Sequence, residues 1–317
     1  MGGVILFSRN FRSIKQLMVL IKAIKAIKNP GLLVSVDQEG GRVQRFKAPF
    51  YELPKLSAIG DIFDRDPARA KRLARDHAWV MSMELLAVNI DFSFAPVVDL
   101  RSEKSEVIGD RAFHENPEIV KELSKIYVET MEGNGMKSVA KHFPGHGLIK
   151  EDSHLTTPVD SRELNSIINL DLMPYQTLVK LNLDAIMMAH IIYQKVDSKP
   201  AGFSKIWMRD ILRSKFDFNG LIFSDDLSMR GAAVSSSFFE RAKLAVEAGC
   251  DVLIVCNNRA GVKEILDSAT SLKIFTDKCQ SLEIMEAKDR RVSLTDLTDS
   301  SEWKEAVTNL DNLTHDL

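Results

Sequence analysis

Met136-Lys137-Ser138-Val139-Ala140 runs directly into Lys141-His142-Phe143-Pro144-Gly145-His146-Gly147-Leu148-Ile149-Lys150-Glu151-Asp152-Ser153-His154. A short apolar run is followed at once by three histidines, two lysines and carboxylates around a Pro-Gly turn and a second glycine. A strand that delivers titratable groups onto a loop is a common way for a scaffold to present chemistry, because the strand fixes position while the loop supplies shape.

The same pattern recurs on both sides of this stretch. Strands are expected at 3–8, 32–36, 89–97, 136–140, 184–189, 220–224 and 251–255. These runs are continuously apolar rather than alternating, as parallel strands buried on both faces require. Helical patterns fill the gaps at 14–28, 67–88, 117–134, 161–181, 204–215 and 238–248, several opened by Pro or Ser and closed near Gly. Lys15, Lys22, Lys25 and Lys28 mark the outer face of the first helix, with Leu17, Met18, Ile21 and Ile24 expected inward.

Strand and helix alternate throughout, which predicts an α/β fold with a parallel sheet. Polar residues follow the strands at their C-terminal ends: Asp37, Asp99, Lys141 with His142, His190, Asp225 with Asp226, and Asn257. That is the face on which a (β/α)8 TIM-type barrel builds its active site. Seven strands are counted, one short of the eight that close such a barrel.

Composition narrows the function. The 317 residues are 45% apolar and hold 42 Lys and Arg against 44 Asp and Glu, a formal charge of -2. Such a balance provides no basic field for nucleic acid or an acidic membrane surface, so a neutral small-molecule substrate is the natural expectation. No signal-peptide pattern opens the chain and no run of some 18 apolar residues occurs, which predicts a cytoplasmic protein without an integral membrane segment. Cys250, Cys256 and Cys279 are odd in number and lack metal spacing, so they read as small apolar residues in a reducing compartment.

Asp225 opens Ser224-Asp225-Asp226-Leu227-Ser228-Met229 at the end of the cleanest strand. A carboxylate there can serve as nucleophile or metal ligand, or merely cap the following turn, and only one of Asp225 and Asp226 needs to face a pocket. Asp152 and His154, two apart in an extended loop, would lie on one side within hydrogen-bond reach. The carboxylate would then fix the imidazole tautomer and leave the other nitrogen to give and take a proton near neutral pH. The alternative is an ordinary surface loop. His146 fits a loop-shaping role as well as a direct one. A zinc site built from His142, His146, Asp152 and His154 competes, but Pro144 and Gly145 break the helix that would make the i, i+4 histidine spacing meaningful, and Lys141 would repel a dication. No metal and no cofactor are therefore expected. Arg42, Arg45 and Arg111 lie in Gly-punctuated loops after strands, suited to clamping a ligand with forked hydrogen bonds or simply solvated. Gly40-Gly41 lacks the third glycine of a dinucleotide fingerprint.

Val36-Asp37-Gln38-Glu39-Gly40-Gly41-Arg42-Val43-Gln44-Arg45-Phe46, Phe94-Ala95-Pro96-Val97-Val98-Asp99, Gly109-Asp110-Arg111-Ala112-Phe113, Lys141 to Gly147, Asp152-Ser153-His154 and Phe223 to Met229 together resemble the family 3 glycoside hydrolases, and more narrowly their bacterial cytoplasmic β-N-acetylglucosaminidases of peptidoglycan recycling. The resemblance covers nearly the whole chain. It implies a retaining mechanism in which Asp225 attacks the anomeric carbon while His154, oriented by Asp152, is first acid and then base. It also implies that Asp37, Arg45, Arg111, Lys141 and His142 hold the N-acetylglucosamine ring. The implied substrate is a muropeptide fragment, terminal β-linked N-acetylglucosamine on 1,6-anhydro-N-acetylmuramic acid, handled by a monomer. A retaining glycosidase needs a nucleophile on one face of the sugar and a proton donor at the leaving oxygen, and an imidazole's ordinary pKa suits the second task without strong tuning. Phosphorolysis in place of hydrolysis, or sugar binding without turnover, are the competing readings.

The resemblance departs at the start, where the family's first strand and helix would precede Gly2. The expectation is one domain over 1–317 that lacks the first β/α unit of its barrel, through truncation or a misassigned start. Gly145 and Gly147 are expected to act as hinges for the loop that carries His154.

Overall fold

The computed structural model describes residues 1–269, 279–288 and 292–314. Two compact units are present, Met1–Val97 with Asp110–Val139 and Ile284–Leu317, and Val98–Gly109 with Ala140–Glu283.

In the first unit, strands β1 (Gly3–Leu6), β2 (Leu33–Val36) and β3 (Phe92–Ser93) form a three-stranded sheet in that order. Neighbours run parallel, with Gly3 opposite Leu33 and Ser35 opposite Phe92. β2 is buried along its whole length, which is why its sequence Leu-Val-Ser-Val is apolar at consecutive positions and not at every second one. Helix α1 (Ile14–Lys25) starts at Ser13, whose side chain accepts from the Gln16 N–H. It ends three residues before the expected Lys28, and Met18 is 47% exposed instead of buried. Leu17 and Ile21 form the buried ridge one turn apart, and Met18 lies about 100° round the helix from Leu17.

Two long helices pack against each other, the first of them also against β3. Pro67–Ala87 begins at an Asp66 cap and Pro117–Asn134 at an Asn116 cap, and the latter ends on Gly135 at φ 90. Pro in the first turn and a capping acceptor before it are the local signals that open both helices, and a left-handed glycine closes the second. Leu56–Phe63, Leu294–Asp299 and Ser301–Thr314 are further helices that the sequence reading does not anticipate. The last is tied down where Tyr51 donates to Asp311 at 2.7 Å and Trp303 Nε1 donates to the buried Glu84 at 3.1 Å.

The second unit holds β4 (Val139–Phe143), whose first residue belongs to the first unit, then β5 (Ala185–Met188), β6 (Leu221–Asp226) and β7 (Val252–Ile254), neighbours in that order. β5 and β6 pair in parallel from Ala185 opposite Leu221 to Met188 opposite Ser224. β6 and β7 are parallel too, with a register shift between Phe223 and Asp226. The seven strands of these two sheets overlap the seven expected apolar runs, although β4 and β6 run on past the expected ends at 140 and 224, and Gln38–Gly40 with Val43–Gln44 and Val159–Asp160 with Ile192–Tyr193 form two further two-stranded sheets.

The helix expected at 161–181 is two helices, Leu164–Asn169 and Leu172–Lys180. The break falls at Leu170 and Asp171, because Asp171 is drawn into the interior by Arg162, whose Nη1 donates at 2.7 Å. The helix expected at 204–215 is a wider π-helix over Ile206–Lys215, Phe238–Ala248 matches its expectation, and Arg259–Ala269 is unanticipated. Cys250 is buried and Cys256 partly so, both as free thiols, while the Cys279 side chain lies outside the described residues. Among the described residues no helix is long and apolar enough to cross a membrane.

Candidate active site

Lys141 and His142, both buried, precede Phe143 at the end of β4. His142 Nδ1 meets Asp99 Oδ2 at 2.7 Å, and the backbone N–H groups of His142 and His146 also donate to Asp99, the second at 2.7 Å. Burial pushes the Asp99 carboxyl up, but the imidazole of His142, with His146 and its N–H, outweighs it and holds the group below the ordinary carboxylate range. An ionised Asp99 fixes the His142 ring and pulls the following turn onto the strand end. Asp99 is a polar residue at a strand end in the sequence, but nothing local marks it as the partner of His142, 43 residues away.

The two loop glycines are required by close packing. A Cβ on Gly145 would lie 2.4 Å from Asp171 Oδ1, and one on Gly147 would lie 1.7 Å from the Leu100 carbonyl oxygen. The Tyr193 hydroxyl donates to the Gly145 carbonyl at 2.6 Å. His146 takes the loop-shaping role: it is buried, and its Nε2 pairs with Ser153 Oγ at 2.9 Å. Burial, then His142, hold its imidazole below its ordinary pKa.

That bond places the next segment. Asp152 and His154 meet, with Asp152 Oδ1 accepting from the His154 N–H at 2.8 Å and pairing with His154 Nδ1 at 2.8 Å. The backbone is a turn, not the expected extended loop, since the N–H groups of Leu155 and Thr156 both return to the Asp152 carbonyl. Aspartate commonly closes such turns by accepting from the N–H two residues on, which brings the i and i+2 side chains together without strand alternation. The Ser153 carbonyl accepts from Gly231 N–H at 2.8 Å, and that of His154 from Arg230 N–H at 3.3 Å. The His154 side chain remains 61% exposed.

The segment Arg230–Ala232 follows Asp225 and Asp226 at the end of β6. Between Phe223 and Asp226 the strand carries one residue more than β7 opposite it, a bulge of the kind that re-aims a side chain at a sheet rim. Ser224 Oγ accepts from the Ile254 N–H on one side of it. Asp226 is committed to structure, accepting from Ser228 N–H, Ser228 Oγ and Cys256 N–H. Asp225 accepts only from the Asp226 N–H, at 2.7 Å, and stays partly exposed. Burial pushes the Asp225 carboxyl up, yet His142 and His190, then the Asp226 N–H and His154, overcome this and hold it below the ordinary carboxylate range. The arrangement supplies an ionised, aimed carboxylate in the electrostatic field of an exposed imidazole that can exchange a proton. Of the four residues considered for zinc, Asp152 and His154 meet as a pair but no three form a group that could hold a metal ion, and each imidazole has a partner on at least one nitrogen.

In the first unit, Arg45 Nη2 reaches Asp37 Oδ2 at 3.3 Å while its Nε is buried without a partner. The Gln38 side chain staples the intervening loop by accepting from the Arg45 and Phe46 N–H groups. Arg111 clasps Glu39 through two 2.8 Å bonds, and Arg42 pairs with Asp110 at a more exposed position. Glu39 is a partner of Arg111 that its place in the sequence does not mark. Gly40 and Gly41 turn the chain with φ 95 and 53, and a Cβ on Gly40 would strike the Pro54 carbonyl oxygen at 2.5 Å. Their role is a tight turn, consistent with the missing dinucleotide fingerprint.

Residues 1–292 match the glycosyl hydrolase family 3 N terminal domain. The chain belongs to glycosyl hydrolase family 3. It is similar to the beta-hexosaminidase of Thioalkalivibrio sulfidiphilus, 47% identical over 306 residues that make up 96% of this chain and 87% of that one. With the beta-hexosaminidase of Tolumonas auensis it is 49% identical over 267 residues, 84% and 78% of the two chains. The crystal structure of NagZ from Neisseria gonorrhoeae in complex with N-trifluoroacetyl-D-glucosamine superposes with a TM-score of 0.90 at 40% identity, over 99% of this chain and 91% of that one. The family 3 chain has the TIM-barrel-like α/β fold of that family, and it is an enzyme, a glycosidase of the β-hexosaminidase group.

Proposed function

We propose that this family 3 enzyme is a retaining β-N-acetylglucosaminidase. Asp225 attacks the anomeric carbon and forms a covalent glycosyl-enzyme, while His154 gives its Nε2 proton to the departing oxygen. Water then attacks the same carbon, His154 Nε2 takes the water's proton, the Asp225 bond breaks, and the sugar leaves with its configuration retained. Asp152, bonded to Nδ1, fixes the tautomer that makes Nε2 the working nitrogen. Asp37, Arg45, Arg111, Lys141 and His142 hold the amino sugar in this reading, with Asp99 and Glu39 bracing His142 and Arg111.

The observation that carries the proposal is Asp225 itself: an aimed carboxylate kept ionised beside imidazoles, as a nucleophile beneath an oxocarbenium-like transition state must be. The substrate we propose is terminal β-linked N-acetylglucosamine on 1,6-anhydro-N-acetylmuramic acid and its peptides, released by a cytoplasmic monomer in cell-wall recycling. Supporting this are the glucosamine derivative bound by the Neisseria enzyme and the near-neutral charge of this chain. The family match spans residues of both compact units, which supports reading 1–317 as one glycosidase domain.

The test is release of nitrophenol from a β-N-acetylglucosaminide with and without phosphate, with the anomer of the first-formed sugar followed by NMR. Hydrolysis independent of phosphate, β product first, and a loss of about a thousandfold or more in Asp225→Asn are expected. Turnover that survives in Asp225→Asn, or an α product, would overturn the assignment.

A further inference from the structure

His190 follows β5 and is fully buried, with 0% exposure. Its ring stacks on Phe203 at 5.4 Å and 15°. The surrounding chain is shaped to admit it: a Cβ on Gly202 would lie 2.7 Å from Nδ1, and one on Gly231 would lie 2.7 Å from the His190 carbonyl oxygen and 3.0 Å from its Cβ. Within this cradle neither Nδ1 nor Nε2 has a hydrogen-bond partner. Buried polar groups are as a rule paired, so an imidazole with two idle nitrogens is an exception that calls for a role.

Its surroundings indicate which role. The parallel pairing of β5 and β6 up to Met188 opposite Ser224 brings His190, two residues on, level with Asp226 and next to Asp225, and the backbone and carboxylates of both bias the ring. Asp226 is already taken up by Ser228 and Cys256, whereas Asp225 Oδ2 accepts no hydrogen bond among the described residues. A ring with no exposed surface does not reach a bound sugar, so it acts through its neighbour.

We propose that His190 is a positioning residue for Asp225, an imidazole clamped by Gly202, Phe203 and Gly231 whose N–H steadies the carboxylate as the glycosyl bond to it forms and breaks. Steering an oxygen by a donor that needs no reorganisation is the general form of electrostatic preorganisation. The proposal rests on Asp225 being the nucleophile.

His190→Phe keeps the stack and removes the N–H, and His190→Gln restores an N–H. With an aryl β-N-acetylglucosaminide, His190→Phe is expected to lose about ten- to a hundredfold in kcat, the range of one hydrogen bond to a charged group, with KM nearly unchanged. The acid limb of its kcat/KM profile moves to higher pH, because Asp225 loses a group that favours its ionised form. His190→Gln recovers most of the loss, and both variants melt near the parent enzyme. An unaltered kcat and acid limb in His190→Phe, or equal losses in both variants, would overturn the proposal. Asp225→Gly assayed with azide keeps the two readings apart. An α-glycosyl azide there identifies Asp225 as nucleophile whatever His190 does, so that a null result in His190→Phe then overturns this proposal alone, while absence of the azide product overturns the nucleophile reading and this proposal with it.

Discussion

Two carboxylate-imidazole pairs of nearly equal length sit in the second unit, Asp99–His142 at 2.7 Å and Asp152–His154 at 2.8 Å. Their side chains are 0% and 9% exposed in the first pair, and 33% and 61% in the second. The same two chemical groups thus stand in opposite surroundings, which fit the different tasks proposed for them. The buried pair is enclosed by other donors and held at a strand end, which suits gripping. The open pair has one imidazole nitrogen fixed and the other within reach of solvent and a leaving group, which suits moving a proton. Sequence spacing does not separate the two; burial does.

Variants of the two pairs should therefore fail differently. The largest effect on turnover is expected for His154→Ala, about a hundred- to ten-thousandfold in kcat with an alkyl or sugar leaving group, and far less with dinitrophenolate, which departs unprotonated. Steady-state assays on the two substrate types check this.

Asp99→Asn is expected to strike stability instead. Breaking one partner of a buried pair costs about 3 kcal/mol, visible as a lower denaturant midpoint, with Asp152→Asn leaving the midpoint close to the parent. Asp152→Asn should show its loss in kcat, about tenfold to a hundredfold, as the imidazole tautomer is no longer fixed.

The smallest effect is the pH dependence of folding. The Asp99 carboxyl is held below its ordinary range in the folded chain, so its contribution is present above the unfolded pKa of about 4 and is lost as the pH falls through the lower folded value. Acid titration of stability should be shallower in Asp99→Asn than in the parent.

Much of the frame was legible in the residues. The seven strands of the two parallel sheets overlap apolar runs because parallel strands are covered on both faces, and Pro67–Ala87 and Pro117–Asn134 carry their N-terminal caps in sequence. Leu56–Phe63 was hidden because every residue but two is buried, which erases the amphipathic stripe. The break at Asp171 was hidden because Arg162 lies within the expected helical run, and only the fold shows it preceding the helix and holding the buried Asp171. In the site, Asp152 and His154 were readable because their bond is local, although the turn that closes it was not. The roles proposed for Asp99, Glu39 and His190 depend on neighbours that only the fold brings up, His142, Arg111 and Asp225.

The most direct test of the contrast between the pairs is azide rescue of His154→Gly and His142→Gly with a dinitrophenyl β-N-acetylglucosaminide. Azide should accelerate His154→Gly and yield the β-configured glycosyl azide, because a small anion replaces water where the general base is gone, and it should leave His142→Gly unchanged. No acceleration of His154→Gly, or equal rescue of both variants, would contradict the division of labour proposed for the open and the buried pair.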